Sequence, residues 1–153
     1  MPGLYHICYL SVAKLSALQP TPEKGFQAIT AAALKANSAA GLTGCIIFTG
    51  QHFLQVIEGM QEDVEDTFGR ISRDTRHTDV RVLSEGPIEV RDFPEMAVNC
   101  SGNEALTAEA LAEISAVLDY PQHQLHIREI RTLLSVITQT SRKQDALLAA
   151  SSL

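Results

Sequence analysis

Phe53-Leu54-Gln55-Val56-Ile57-Glu58-Gly59 is a short apolar run with the character of a β-strand. Side chains alternate along a strand, so Phe53, Gln55 and Ile57 share one face and Leu54, Val56 and Glu58 the other. A primary amide set between two large hydrophobes is expected to be buried. Burying it costs roughly 1–3 kcal/mol unless its donors and acceptor are paired. Gln55 is therefore either a satisfied core amide or part of a site, and its neighbours in the fold decide which.

Working outward, Cys45 to Thr49 reads as a strand joined to the Gln55 strand by a tight Gly50-Gln51 link, a β-hairpin. Upstream, Leu4 to Ser11 alternates Tyr5, Ile7 and Tyr9 against His6, Cys8 and Leu10, a first strand. Gln19-Pro20-Thr21-Pro22 breaks it, and Thr21 followed by Pro22 has the form of an N-cap with proline at the first helical position. The spacing predicts a helix over Glu23 to Ala36 with Phe26, Ile29, Ala33 and then Asn37 on its core face. Ala40-Gly41-Leu42-Thr43-Gly44 is the turn that follows. Asn37 could also be a helix C-terminal residue in the left-handed conformation.

Downstream, a second amphipathic helix is predicted over Gln61 to Arg73, with Val64, Phe68 and Ile71 inward and Glu62 and Asp63 in its first turn. Val80 to Leu83 reads as a fourth strand that Ile88 to Val90 continues past a Gly86-Pro87 break, and Pro94 to Cys100 as a fifth. The order is that of an α+β, ferredoxin-like split βαβ plan extended to a five-stranded sheet. Right-handed crossovers put both helices on one sheet face. The other face needs a cover. The sequence offers C-terminal helices for it, one capped by Thr107 with Leu111, Ile114, Val117 and Leu118 inward, and one after Pro121 with Ile127, Ile130, Leu134 and Ile137. From Ser141 the chain turns small and polar. The expected division is 1–102 for the sheet domain and 103–153 for a helical extension.

The 153 residues are 45% hydrophobic with a mean hydropathy of +0.03, enough for one domain with a real core. A net charge of −6 and a pI of about 5.3 argue against nonspecific wrapping of nucleic acid. Arg70, Arg73, Arg76, Arg81 and Arg91 nevertheless cluster in mid-chain, as a small anionic site would require. Cys8, Cys45 and Cys100 are scattered without a CxxC, which suggests buried thiols in a reducing cytoplasm. His123 and His126 lack partners for a metal site, and no apolar stretch is long enough to span a bilayer. The expectation is a cytoplasmic protein with no metal, no membrane and no direct nucleic-acid contact.

In this topology the first strand and the Gln55 strand are central neighbours. Tyr9 and Gln55 then project from one face between the two helices, and Asn37 enters the same cavity, walled by Phe53, Ile29 and Ile71. No nucleophile–base pairing and no glycine-rich phosphate loop accompanies them, so hydrolytic and phosphoryl-transfer chemistry lack their parts. Two carboxamides donate and accept together, matching a ring edge that alternates carbonyl and N–H. A phenol can release one electron with one proton. Such a cleft suits a redox-active or light-absorbing ring.

The chain resembles the BLUF family of blue-light sensors that use flavin. The matching pieces arrive in the family's order: Leu4-Tyr5-His6-Ile7-Cys8-Tyr9-Leu10-Ser11, Asn37 ahead of Gly41-Leu42-Thr43-Gly44, the Gln55 run, Ile71-Ser72-Arg73-Asp74-Thr75-Arg76-His77, and Arg91-Asp92-Phe93. They cover about residues 4 to 100. The resemblance implies noncovalent FAD between the helices, Tyr9 as photo-oxidised donor, and Gln55 as an amide that changes its hydrogen bonding after light. It implies Asn37 at the pyrimidine edge, Ile71 flanking the ring, and Arg70, Asp74, Arg76 and His77 near the ribityl and phosphate end. The family's usual Trp and Met on the fifth strand fall at Met96 and Val98, and the chain has no Trp. These two positions are the expected relay to the C-terminal helices, to a downstream signalling protein and to a homo-oligomer. The resemblance implies a sensor and not an enzyme. A flavin binder with impaired output, a small flavin-dependent enzyme and a ferredoxin-like module for another ligand stand as alternatives.

Overall fold

A computed structural model of the chain describes residues 3–93, 96–100 and 112. The elements are β1 (Leu4–Ala13), a short 3-10 turn (Leu15–Ala17), α1 (Pro22–Ala39), β2 (Thr43–Phe48), β3 (His52–Met60), α2 (Gln61–Ser72), β4 (His77–Pro87) and β5 (Met96–Cys100). The strands lie in the order β4-β1-β3-β2-β5. The first four pair antiparallel, and β5 runs parallel to β2. The fold is α+β, with α1 and α2 on one side of the antiparallel sheet. Apart from Ala112, which is helical, the helices and domain boundary expected beyond residue 102 fall outside the described residues.

Local signals explain the element ends. The Thr21 hydroxyl accepts a hydrogen bond from the Lys24 N–H at 3.2 Å, and Pro22 opens α1 where a missing N–H costs nothing. The helix extends to Ala39, three residues past the expected end, and the left-handed position that stops it is Gly41, with φ of 71°. Asn37 is thus inside the last helical turns and its side chain is not a cap.

The fourth strand departs from expectation. It starts at His77 and continues through Gly86-Pro87, pairing with β1 from Ala13↔His77 to Tyr5↔Pro87. Ile88 to Val90 lies beyond it, held where the Ile88 N–H donates to the Leu4 carbonyl at 3.0 Å. The polar Thr78-Asp79 start concealed the strand, and Pro87 is tolerated because β4 is an edge strand. Two register shifts in the β1–β4 ladder absorb the irregularity.

Register places the key positions in one transverse row: Val82, Tyr9, Gln55, Ile46 and Val98 are successive partners across the strands. Gly44 keeps the β2–β3 part of that ladder in place. It pairs with Ile57 at a φ of 152°, and a Cβ there would collide with the Val56 carbonyl oxygen.

On the helix side, two apolar clusters flank the row. Phe26, Phe48 and Phe53 pack with Ala13 and Leu18, their ring centroids 5.2 to 5.8 Å apart. Ile7, Leu42, Ile57 and Val64 form the second cluster. Each large side chain fully buried there stabilises the fold by about 1.5–3 kcal/mol. On the opposite face Cys8, Leu10, Cys45, Ile47, Leu54 and Val56 are all buried, and burial pushes the Cys8 thiol up to about 12.

Candidate functional site

Between the two apolar clusters, α1, α2 and the sheet enclose a cavity of about 480 Å³. Tyr9, Ile29, Asn37, Phe53, Gln55, Arg70, Ile71, Asp74, Arg76 and His77, scattered over nearly seventy positions, all line it. Met96 and Val98 lie elsewhere, on β5, with their backbones opposite Gly44 and Ile46.

Tyr9 and Gln55 are direct cross-strand partners on the central pair of strands. The Tyr9 hydroxyl donates a short hydrogen bond to Gln55 Oε1, and both residues are buried. Burial pushes the Tyr9 phenol well above its ordinary range, with the nearby Cys8 and Asp74 adding to the effect. Phe68 of α2 packs on the Tyr9 ring at a centroid distance of 5.5 Å.

What the carboxamides lack is as informative. Among the described residues, Gln55 Nε2 and the whole Asn37 side chain make no hydrogen bond, although Asn37 is 5% exposed and Gln55 4%. Buried polar groups are nearly always paired, and these two border the cavity with hydrogen-bonding capacity to spare. Ile29, Ala33, Ile46, Phe53 and Ile71 supply apolar walls around them. The arrangement fits a flat ring with apolar faces and an edge of alternating donors and acceptors.

The charged end of the cavity is organised by the turn after α2. Arg76 Nε donates to Asp74 Oδ1 at 2.9 Å and its Nη2 closes a tighter contact with Oδ2. That hydrogen bonding holds the Asp74 carboxyl below its ordinary value and raises Arg76. Arg70 donates to Thr67 Oγ1 at 3.2 Å and has no carboxylate partner among the described residues. His77 is buried, with Nε2 2.6 Å from the Ile71 carbonyl and Nδ1 2.7 Å from Ser11 Oγ. The carbonyl can only accept, so Nε2 carries a proton, and both ring nitrogens are engaged inside the protein.

Sequence reasoning passed over Phe26, Thr30, Ile46 and Thr67 as cavity lining. Thr30 was hidden by its hydroxyl, which bonds back to the Phe26 carbonyl at 3.0 Å and so behaves as a core residue. Its position one turn beyond Phe26 on the stripe that ends at Asn37 was the available signal. Ile46 follows from register, since it is the β2 partner of Gln55.

Comparison with known proteins agrees with this geometry. The family model for sensors of blue-light using FAD (BLUF) matches residues 4–99. Photoactivated adenylate cyclase subunit beta of Euglena gracilis is 29% identical over 92 residues, 60% of this chain and 11% of that protein. The chain therefore spans about a tenth of the length of that relative. Among solved structures, the dark state of BlrB, a BLUF protein, is 26% identical with a TM-score of 0.71, covering 90% of this chain and 97% of that one. The photo-activated state of BlsA shares the fold at a TM-score of 0.72 and 19% identity, over 88% of this chain and 94% of that one. The family match spans the segments that carry Tyr9, Asn37 and Gln55, and the chain belongs to the BLUF family, the sensors of blue light that use a flavin.

Proposed function

We propose that this protein is a blue-light receptor that holds FAD noncovalently between α1 and α2 and signals through a rearrangement of the Tyr9–Gln55 hydrogen bond. The observation that carries the reading is the half-satisfied pair: Tyr9 Oη bonded to Gln55 Oε1, with Gln55 Nε2 and the Asn37 carboxamide unpaired among the described residues at an apolar cavity.

When bound, a flavin would supply blue absorption and an excited-state acceptor for one electron from a nearby phenol. Tyr9 is that phenol. Burial keeps it protonated in the dark, so its proton leaves with the electron, along the existing hydrogen bond toward Gln55 Oε1. Return of the proton to Tyr9 would leave Gln55 in a second arrangement, by rotation or tautomerisation, with its donor and acceptor ends exchanged. A buried amide network with two near-equal solutions is bistable. Asn37 holds the ring edge through both ends of its carboxamide. Ile29, Phe53 and Ile71 exclude water from the ring faces. Arg70 and Arg76 serve the ribityl and phosphate end, Asp74 orients Arg76, and His77 forms a fixed wall between them and Tyr9.

Output passes through Met96 and Val98 on β5 to the segment 103–153, and from there to a partner protein or a second copy of the chain in the cytoplasm. The chain itself acts as a sensor and catalyses no reaction. A visible spectrum before and after blue illumination tests the reading. Yellow protein with a small red shift that reverts in the dark is expected. Colourless protein that FAD does not reconstitute refutes it.

A further inference from the structure

Glu58 lies three residues beyond Gln55 on β3, on the opposite sheet face, and is 1% exposed. Its Oε1 accepts from the Phe93 N–H at 2.8 Å and its Oε2 from the Asp92 N–H at 3.1 Å. Arg91, next in line, sends its guanidinium the other way. Nη1 donates to Thr43 Oγ1 at 2.7 Å and to the Glu58 carbonyl at 3.2 Å, and Nη2 to the Gly41 carbonyl at 2.9 Å.

These contacts join three stretches of chain. Gly41 to Thr43 immediately follow the helix end that carries Asn37, and the Leu42 N–H donates to the Asn37 carbonyl at 2.8 Å. Glu58 belongs to the strand of Gln55. Residues 91–93 lead from β4 toward β5, whose Met96 pairs with Gly44. One guanidinium and one carboxylate therefore fasten both carboxamide-bearing segments to the entrance of the edge strand. Charge-assisted bonds of this kind are stiffer and stronger than neutral ones. Burial pushes the Glu58 carboxyl above its ordinary value, opposed by the two backbone donors.

We propose that Glu58 and Arg91 are positioning residues for signal output: together they latch residues 91–93 to the segments carrying Asn37 and Gln55, so that a displacement at either carboxamide reaches the entrance to β5. The inference rests on the light-receptor reading, and it places the coupling point on the sheet face away from the cavity.

The test is amide hydrogen exchange of the full chain, dark and illuminated, read on the peptide spanning 88–93, with the absorption shift recorded on the same samples. The unaltered protein should show the red shift and a light-dependent change in that peptide. Arg91→Ala should keep the red shift and dark recovery, exchange about tenfold faster at 92–93 in the dark, and lose the light-dependent change. Glu58→Gln, which preserves shape and one acceptor, should reduce that change without removing it. A light-dependent change in Arg91→Ala equal to that of the unaltered protein overturns the latch, as does its absence from the unaltered protein when the red shift is present. No red shift in the unaltered protein overturns the receptor reading itself, whatever the exchange shows.

Discussion

Gln55 and Glu58 sit on the same strand, point to opposite faces and are equally hidden from water, yet their bonding differs in kind. Both oxygens of Glu58 are engaged by backbone donors of the segment after β4. Gln55 has one partner, Tyr9, and a nitrogen that no described residue meets. A buried polar group whose bonds are complete holds structure together. One whose bonds are incomplete marks where another molecule belongs. On the proposed reading, the sheet separates a face that recognises from a face that fastens.

The sharpest way to break this contrast is to remove the amide. Gln55→Leu should still bind flavin but lose the light-induced spectral shift altogether, and Tyr9→Phe should do the same. A normal shift in either variant would dismiss the assigned role. On the fastening face the expected loss is thermodynamic. Glu58→Ala orphans two backbone N–H groups and should cost about 2–4 kcal/mol in urea unfolding of the flavin-free protein. Asn37→Ala should leave that stability within about 0.5 kcal/mol, because its carboxamide has no partner among the described residues to lose, while weakening flavin binding roughly tenfold in a titration. Equal destabilisation by the two variants would erase the distinction.

Acidity should separate the faces further, by smaller amounts. The folded state raises Glu58 above its ordinary 4.5, so it binds that proton more tightly than the unfolded chain does. The resulting stabilisation is complete below 4.5 and is lost as pH rises through the raised value. Glu58→Gln should flatten that part of the urea-midpoint profile. Asp74 is lowered by Arg76, so its contribution is present above its ordinary 3.8 and is lost as pH falls through the depressed value. The pair is partly exposed, and Asp74→Asn should change stability by no more than about 1 kcal/mol.

Part of the cavity face was readable because it obeys local periodicities. Strand alternation, with β1 and β3 taken as neighbours, put Tyr9 and Gln55 on one side, helical spacing brought Asn37 to the same stripe as Phe26 and Ile29, and Thr21-Pro22 fixed where that helix starts. Arg70, Asp74, Arg76 and His77 were not legible from spacing and came only from the family resemblance, because the turn after α2 carries no periodicity to place them. The fastening face was not readable in this way. Glu58 was correctly set opposite Gln55, but nothing local says that its oxygens receive Asp92 and Phe93, more than thirty residues later. The start of β4 was missed for a similar reason: Thr78 and Asp79 look like loop residues until β1 is beside them. Pairing with a distant strand overrode local preference there.

Gly44 has a consequence for inheritance of the signal path. A one-residue slip between β2 and β3 would bring a neighbouring side chain from the wrong face beside the Gln55 amide. The missing Cβ lets Gly44 lie against the Val56 carbonyl in the observed alignment, which any larger residue there would disturb. That alignment sets Ile46 between Gln55 and position 98 in the cross-strand row, where the proposed output path would run. Even Gly44→Ala, far from any chromophore, should misaddress the message while the receiver still absorbs light.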